Sequence, residues 1–129
     1  MIKEAYCSYE VSKLLKEKGF DEECFGAYTE TNHNITMFTG LIKNSEYGNA
    51  MYTAPTHQMA CAWLREKHNI LISIIPQEIR VGFDKLCYAI YRITEDVYTP
   101  LYNGYINNLV DSYEDTVESA IKYCLENLI

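Results

Sequence analysis

Ile70-Leu71-Ile72-Ser73-Ile74-Ile75 follows almost directly on His68-Asn69, and Leu86-Cys87-Tyr88-Ala89-Ile90-Tyr91-Arg92-Ile93 comes a short connection later. Side chains on a strand alternate between two faces, so Ile70, Ile72 and Ile74 fall on one side and Leu71, Ser73 and Ile75 on the other. The second run sets Leu86, Tyr88, Ile90 and Arg92 against Cys87, Ala89, Tyr91 and Ile93. Two strands are predicted, the first closed by Pro76, joined through Gly82 and Asp84 as an antiparallel pair. Upstream, Met59, Ala60, Trp63 and Leu64 form a stripe at helical spacing, which predicts a helix over 54–68 with Pro55 in its first turn. A helix that runs so abruptly into a strand must fold straight back over its own sheet. That juncture decides the class as α+β.

The remaining segments extend this core outward. Ser8 is a candidate N-cap, Val11, Leu14 and Leu15 recur at i, i+3, i+4, and Gly19-Phe20 is a stop signal, giving a helix over roughly 8–18. Cys24 to Thr29 reads as a strand weakened by Gly26. Residues 31–52 carry the least pattern and are expected to form a long surface loop, with Ile35 to Phe38 as a short strand within it. A third strand is indicated around Leu101 to Ile106, with Asn103-Gly104 as a competing turn. Ser112 caps the last helix, on which Tyr113, Val117, Ala120, Ile121, Cys124, Leu125 and Leu128 make one apolar face and Glu114, Glu118, Ser119, Lys122 and Glu126 the solvated one. The expected architecture is a single domain over 1–129. It is a mostly antiparallel sheet of three to five strands with about three helices on one face, in the order helix, strand, helix, strand, strand, helix.

Eleven Lys and Arg stand against 18 Asp and Glu, a net charge of −7. Phosphate binding needs surplus cations, so a nucleic-acid partner is disfavoured; Lys85 and Arg92 are the main ones near the tyrosine-rich strands. The longest apolar run is far below the roughly 20 residues of a transmembrane helix. The first residues lack the apolar region of a secretory signal. Five scattered cysteines, Cys7, Cys24, Cys61, Cys87 and Cys124, contain no C-x-x-C pair. They are expected to be buried free thiols in a reducing cytoplasm.

Chemistry-bearing groups are few. His57, Cys61 and His68 lie at i, i+4 and i+11 of the second helix, within about 40° of one another. His68 stands roughly 10 Å along the axis from Cys61, too far to share one tetrahedral ion. His57 and Cys61 remain as metal-ligand or nucleophile–base candidates, two groups short of a complete site. Phosphate-binding and nucleophile-elbow motifs do not occur, so no cofactor and no catalytic residue is assigned. Of 12 tyrosines, Tyr88, Tyr91, Tyr98, Tyr102 and Tyr105 cluster on the strand region. Tyrosine buries area at low entropic cost and keeps a hydroxyl, so these five are candidates for an interaction surface, against the plainer alternative that they complete the core.

Ser8-Tyr9-Glu10 with Leu14 to Glu22, Ala54-Pro55-Thr56 with Trp63 to Ile70, and Ser112-Tyr113-Glu114-Asp115 with Leu125 to Ile129 together resemble a family of small proteins of unassigned activity carried by prophages and other mobile elements of gut bacteria. The resemblance spans most of the chain outside 31–52. It implies a cytoplasmic, phage-associated protein and carries over no reaction, ligand or catalytic residue. The expected function is that of a small accessory protein that acts by contact with a protein partner or a second copy of itself. The alternative is an enzyme or metal-binding protein using the His57/Cys61 region.

Overall fold

The computed structural model describes residues 2–79, 82–103 and 112–129. Its elements are α1 (Tyr9–Glu17), β1 (Cys24–Tyr28), β2 (Thr36–Ile42), a short 3-10 turn over Asn44–Glu46, β3 (Tyr52–Ala54), α2 (His57–His68), β4 (Ile70–Ile79), β5 (Gly82–Thr94), β6 (Val97–Asn103) and α3 (Tyr113–Asn127). The class is α+β, with three α-helices and only antiparallel strand pairs among the described residues. The strands divide between two sheets, ordered β2-β1-β3 and β4-β5-β6, where a single sheet is expected from the sequence. In the first sheet β2 and β3 take the two edges of β1; in the second β5 lies between β4 and β6.

Each helix is bounded as its end residues dictate. Ser8 Oγ accepts from the Val11 N–H at 3.2 Å, and Thr56 Oγ1 from the Met59 N–H at 3.1 Å. Ser112 Oγ accepts from the Asp115 N–H at 3.0 Å. These satisfy donors that the first turn leaves orphaned. α1 stops in a Schellman turn: Gly19 at φ +93° donates to Lys16 O and Phe20 to Leu15 O. The Phe20 ring then drops into the core beside Trp63, their centroids 5.5 Å apart. Replacing Thr56 by Ala is expected to cost about 1 kcal/mol, measured by urea denaturation, because one orphan donor loses its acceptor.

Several boundaries differ from the sequence reading. The stretch 31–52, expected as a long loop with a short strand over Ile35 to Phe38, holds β2 over Thr36–Ile42 and the 3-10 turn, and β5 starts at Gly82 rather than Leu86. α2 begins at His57 rather than 54, because Ala54 completes β3 and Pro55 precedes the cap. β4 runs on through Pro76, which pairs with Leu86. Proline is tolerated there because β4 is an edge strand. β6 starts at Val97 after a two-residue turn at Glu95-Asp96, four residues before the expected strand. Asn103 ends β6, and the competing Asn103-Gly104 turn lies partly outside the described residues.

One core joins both sheets. α1 supplies Val11 and Leu15, α2 supplies Ala60, Trp63 and Leu64, and α3 supplies Val117, Ala120, Ile121, Cys124 and Leu125. Ile70, Tyr88 and Ile90 meet them from the sheet. Tyr113, expected on the apolar face of α3, is exposed. Within the first sheet a Cβ on Gly26 would lie 2.8 Å from Ile35 Cδ1, so the side chains of Ile35 and Met37 would have to shift to admit it.

Candidate functional site

Residues 5–7 run antiparallel to 55–57 and tie the chain start to the head of α2. Cys7 N–H donates to Pro55 O, and His57 N–H to Ala5 O, both at 2.9 Å. Tyr28 Oη donates to Cys7 O at 2.7 Å and fixes that residue from β1. Cys7 and His57, distant in sequence, are thereby placed side by side. Glu118 arrives from the second turn of α3. Its Oε2 lies 2.6 Å from His57 Nε2, and its Oε1 accepts the Ser8 N–H at 2.8 Å. The Cys7 thiol, the His57 imidazole and the Glu118 carboxylate have ligating atoms all within 4.8 Å of one another.

Glu118 performs across the fold what an N3 glutamate does within a capping box: it satisfies the N–H of the N-cap residue of α1. One carboxylate thus binds the starts of α1 and α2 to α3. Beside it Lys122 and Glu10 pair at 2.8 Å between α3 and α1. The expected solvated position of Glu118 is therefore corrected, since its side chain is three-quarters covered. The helical stripe could not reveal this, because Glu118 borders the apolar face next to Val117 and its partners come from other helices.

The electrostatics follow from burial. Burial pushes the Cys7 thiol well above its usual value, and the nearby Glu118 carboxylate adds to the shift. Burial also raises Glu118, but hydrogen bonds from His57 and Ser8 outweigh it, and the carboxyl titrates below its usual range. Cys7 is wholly covered, so with its proton on it is a poor nucleophile. Cys61 is half-buried with its pKa raised by burial, Arg65 opposing. It lines a cleft of about 410 Å³ with His57, Ile72, Ile74, Tyr113 and Val117. A second groove, of about 490 Å³ among Glu22, Glu23, Lys43 and Trp63, presents no thiol or imidazole.

The sequence candidates are distributed as follows. His57 belongs to the cluster, with Cys7 and Glu118 as its immediate companions; Cys61 shares the cleft with it. His68 is elsewhere, edge-on to Trp63 with ring centroids 4.6 Å apart. Cys7, Cys24, Cys87 and Cys124 are buried, and none of the five cysteines is in a disulfide. The tyrosines do not form one face. Tyr88 stacks on Tyr102 at 5.4 Å, and Tyr102 lies 4.2 Å from Tyr123 of α3, which puts this pair under the helices. Tyr98 pairs with Ile93 in the ladder and is exposed; Tyr91 is half-buried. Tyr105 lies outside the described residues. No helix among the described residues is long and apolar enough to cross a membrane. No family model matches the chain, and no curated protein and no solved structure matches it.

Proposed function

We propose that the chain is a cytoplasmic accessory protein of a mobile genetic element that works through protein–protein contact, and that its first partner is a second copy of itself joined along β2. The observation that carries this is the character of that strand. β2 is the edge of its sheet, and among the described residues no further strand pairs with it. Thr36-Met37-Phe38-Thr39-Gly40-Leu41-Ile42 contains no charge and no proline, two of the devices that blunt an edge; a break in its register with β1 between Met37 and Ile42 is the one such device it carries. Met37 and Leu41 on β2, and Phe25 on the neighbouring strand, are 50%, 47% and 50% exposed. In a chain of net charge −7, such a segment is where two copies meet with least repulsion. Antiparallel pairing of β2 with its symmetry mate joins two three-stranded sheets into one and satisfies the open ladder. Five cysteines outside any disulfide support a reducing compartment, and the family resemblance supports the mobile-element origin.

Light scattering coupled to size exclusion tests this. The wild type is expected to run at twice the chain mass of 15.0 kDa, more completely at higher salt as the acidic copies are screened. The double variant Thr39→Lys/Leu41→Lys is expected to run as a monomer with unchanged circular dichroism. A wild type that stays monomeric at every concentration, or a variant that stays dimeric, overturns the reading.

A further inference from the structure

We propose that Cys7 Sγ, His57 Nε2 and Glu118 Oε2 form a zinc site, with the fourth tetrahedral position filled by water from the neighbouring cleft. A thiolate, an imidazole and a carboxylate are the three donor types that zinc accepts. Here one of each comes from a separate part of the fold and is held by backbone contacts. Residues 5–7 are zipped to 55–57, His57 is the first residue of α2, and Glu118 stands on α3. Donor atoms around a tetrahedral zinc lie roughly 3.3–3.8 Å apart, given bonds of about 2.0–2.3 Å. The cluster spans up to 4.8 Å, and its closest pair is at 2.6 Å. Shifts of about 1 Å bring it to that geometry, within reach of side-chain rotation.

Glu118 Oε1 keeps the Ser8 N–H while Oε2 turns to the metal, which fixes the carboxylate's orientation. The cleft that His57 lines gives the ion an approach. On binding, the S–H bond of Cys7 breaks and its proton leaves to solvent. His57, which donates from Nε2 to Glu118 in the metal-free protein, exchanges that proton through solvent to Nδ1, so that Nε2 is free to ligate. Binding therefore releases a proton and weakens as pH falls.

Protein stripped with a chelator, given one equivalent of zinc or cobalt(II) and dialysed, is expected to retain one metal ion per chain. Its melting temperature rises, and the cobalt form shows a thiolate-to-metal charge-transfer band in the near ultraviolet. His57→Gln is expected to weaken retention at least tenfold, whereas His68→Gln and His33→Gln retain the ion. Cys7→Ser abolishes the band. Should that variant fail to fold, X-ray absorption on the zinc-loaded wild type decides independently: the proposal requires one sulfur and three nitrogen or oxygen neighbours. Loss of the ion on dialysis, retention unaffected by His57→Gln, or a shell with no sulfur or more than one overturns it. The dimer measured in parallel with and without chelator reads the β2 contact separately, since that strand contributes no ligand.

Discussion

Phe20→Ala is expected to lower the free energy of unfolding by about 3–5 kcal/mol, read from urea denaturation at constant m-value. Phe20 is among the largest fully buried side chains of the molecule and meets Trp63 edge-on. Truncation removes its transfer free energy and leaves a cavity beside Trp63, in the buried core that Phe20 shares with Leu15, Cys24 and Leu64. Phe20 also closes the Schellman turn, so its loss reaches the C-terminus of α1, where Leu14, Leu15 and Lys16 offer their carbonyls to residues 18–20. A cost below about 1 kcal/mol would mean that the ring does not occupy the core position described.

Glu118→Ala is expected to cost about 2–3 kcal/mol, since it strands the Ser8 N–H and the His57 Nε2 at once. The pH dependence follows with a definite sign. The carboxyl titrates lower in the folded than in the unfolded chain, whose ordinary value is 4.5. The unfolded state therefore binds more protons in this range. The stabilisation is complete above the unfolded pKa and is lost as pH falls through the lower, folded one. Asp21 is lowered mainly by the Ser45 backbone N–H, and Glu30 by the Tyr52 and Tyr9 hydroxyls, so both slope the same way. The difference between wild type and Glu118→Gln in urea titrations from pH 6 down to 3 isolates the Glu118 share: the variant is expected to lose less stability across that interval. Equal slopes for the two proteins would exclude a carboxylate acting as the tie between helices.

The parts of the fold legible in the sequence were those with one buried face. The stripes of α1, α2 and α3, the caps Ser8 and Ser112, the stop at Gly19-Phe20 and the alternation through Ile70–Ile75 and Leu86–Ile93 each record a single physical demand repeated along the chain. β2 was hidden because it is exposed along most of its length, so no alternation marks it; only Ile35 to Phe38 hinted at a strand. β6 was misplaced because its turn, Glu95-Asp96, lacks the Asn-Gly or Asp-Gly signature, and neither residue adopts positive φ. Of the candidate site, His57 and its helical neighbour Cys61 could be singled out, since both share one element. Cys7 and Glu118 could not, because what joins them to His57 is the pairing of 5–7 with 55–57 and the docking of α3. Neither leaves a periodic trace.

Asn69 is the only non-glycine residue with positive φ among those described, and it alone connects α2 to β4. Its N–H closes the helix on Arg65 O and its carbonyl receives the Ile93 N–H at 2.7 Å. Helix and hairpin are thus welded through a single residue with no slack. One residue added or removed here would turn every following side chain of β4 to the wrong side of the sheet. At this joint an insertion or deletion is accordingly expected to harm the fold far more than a substitution does.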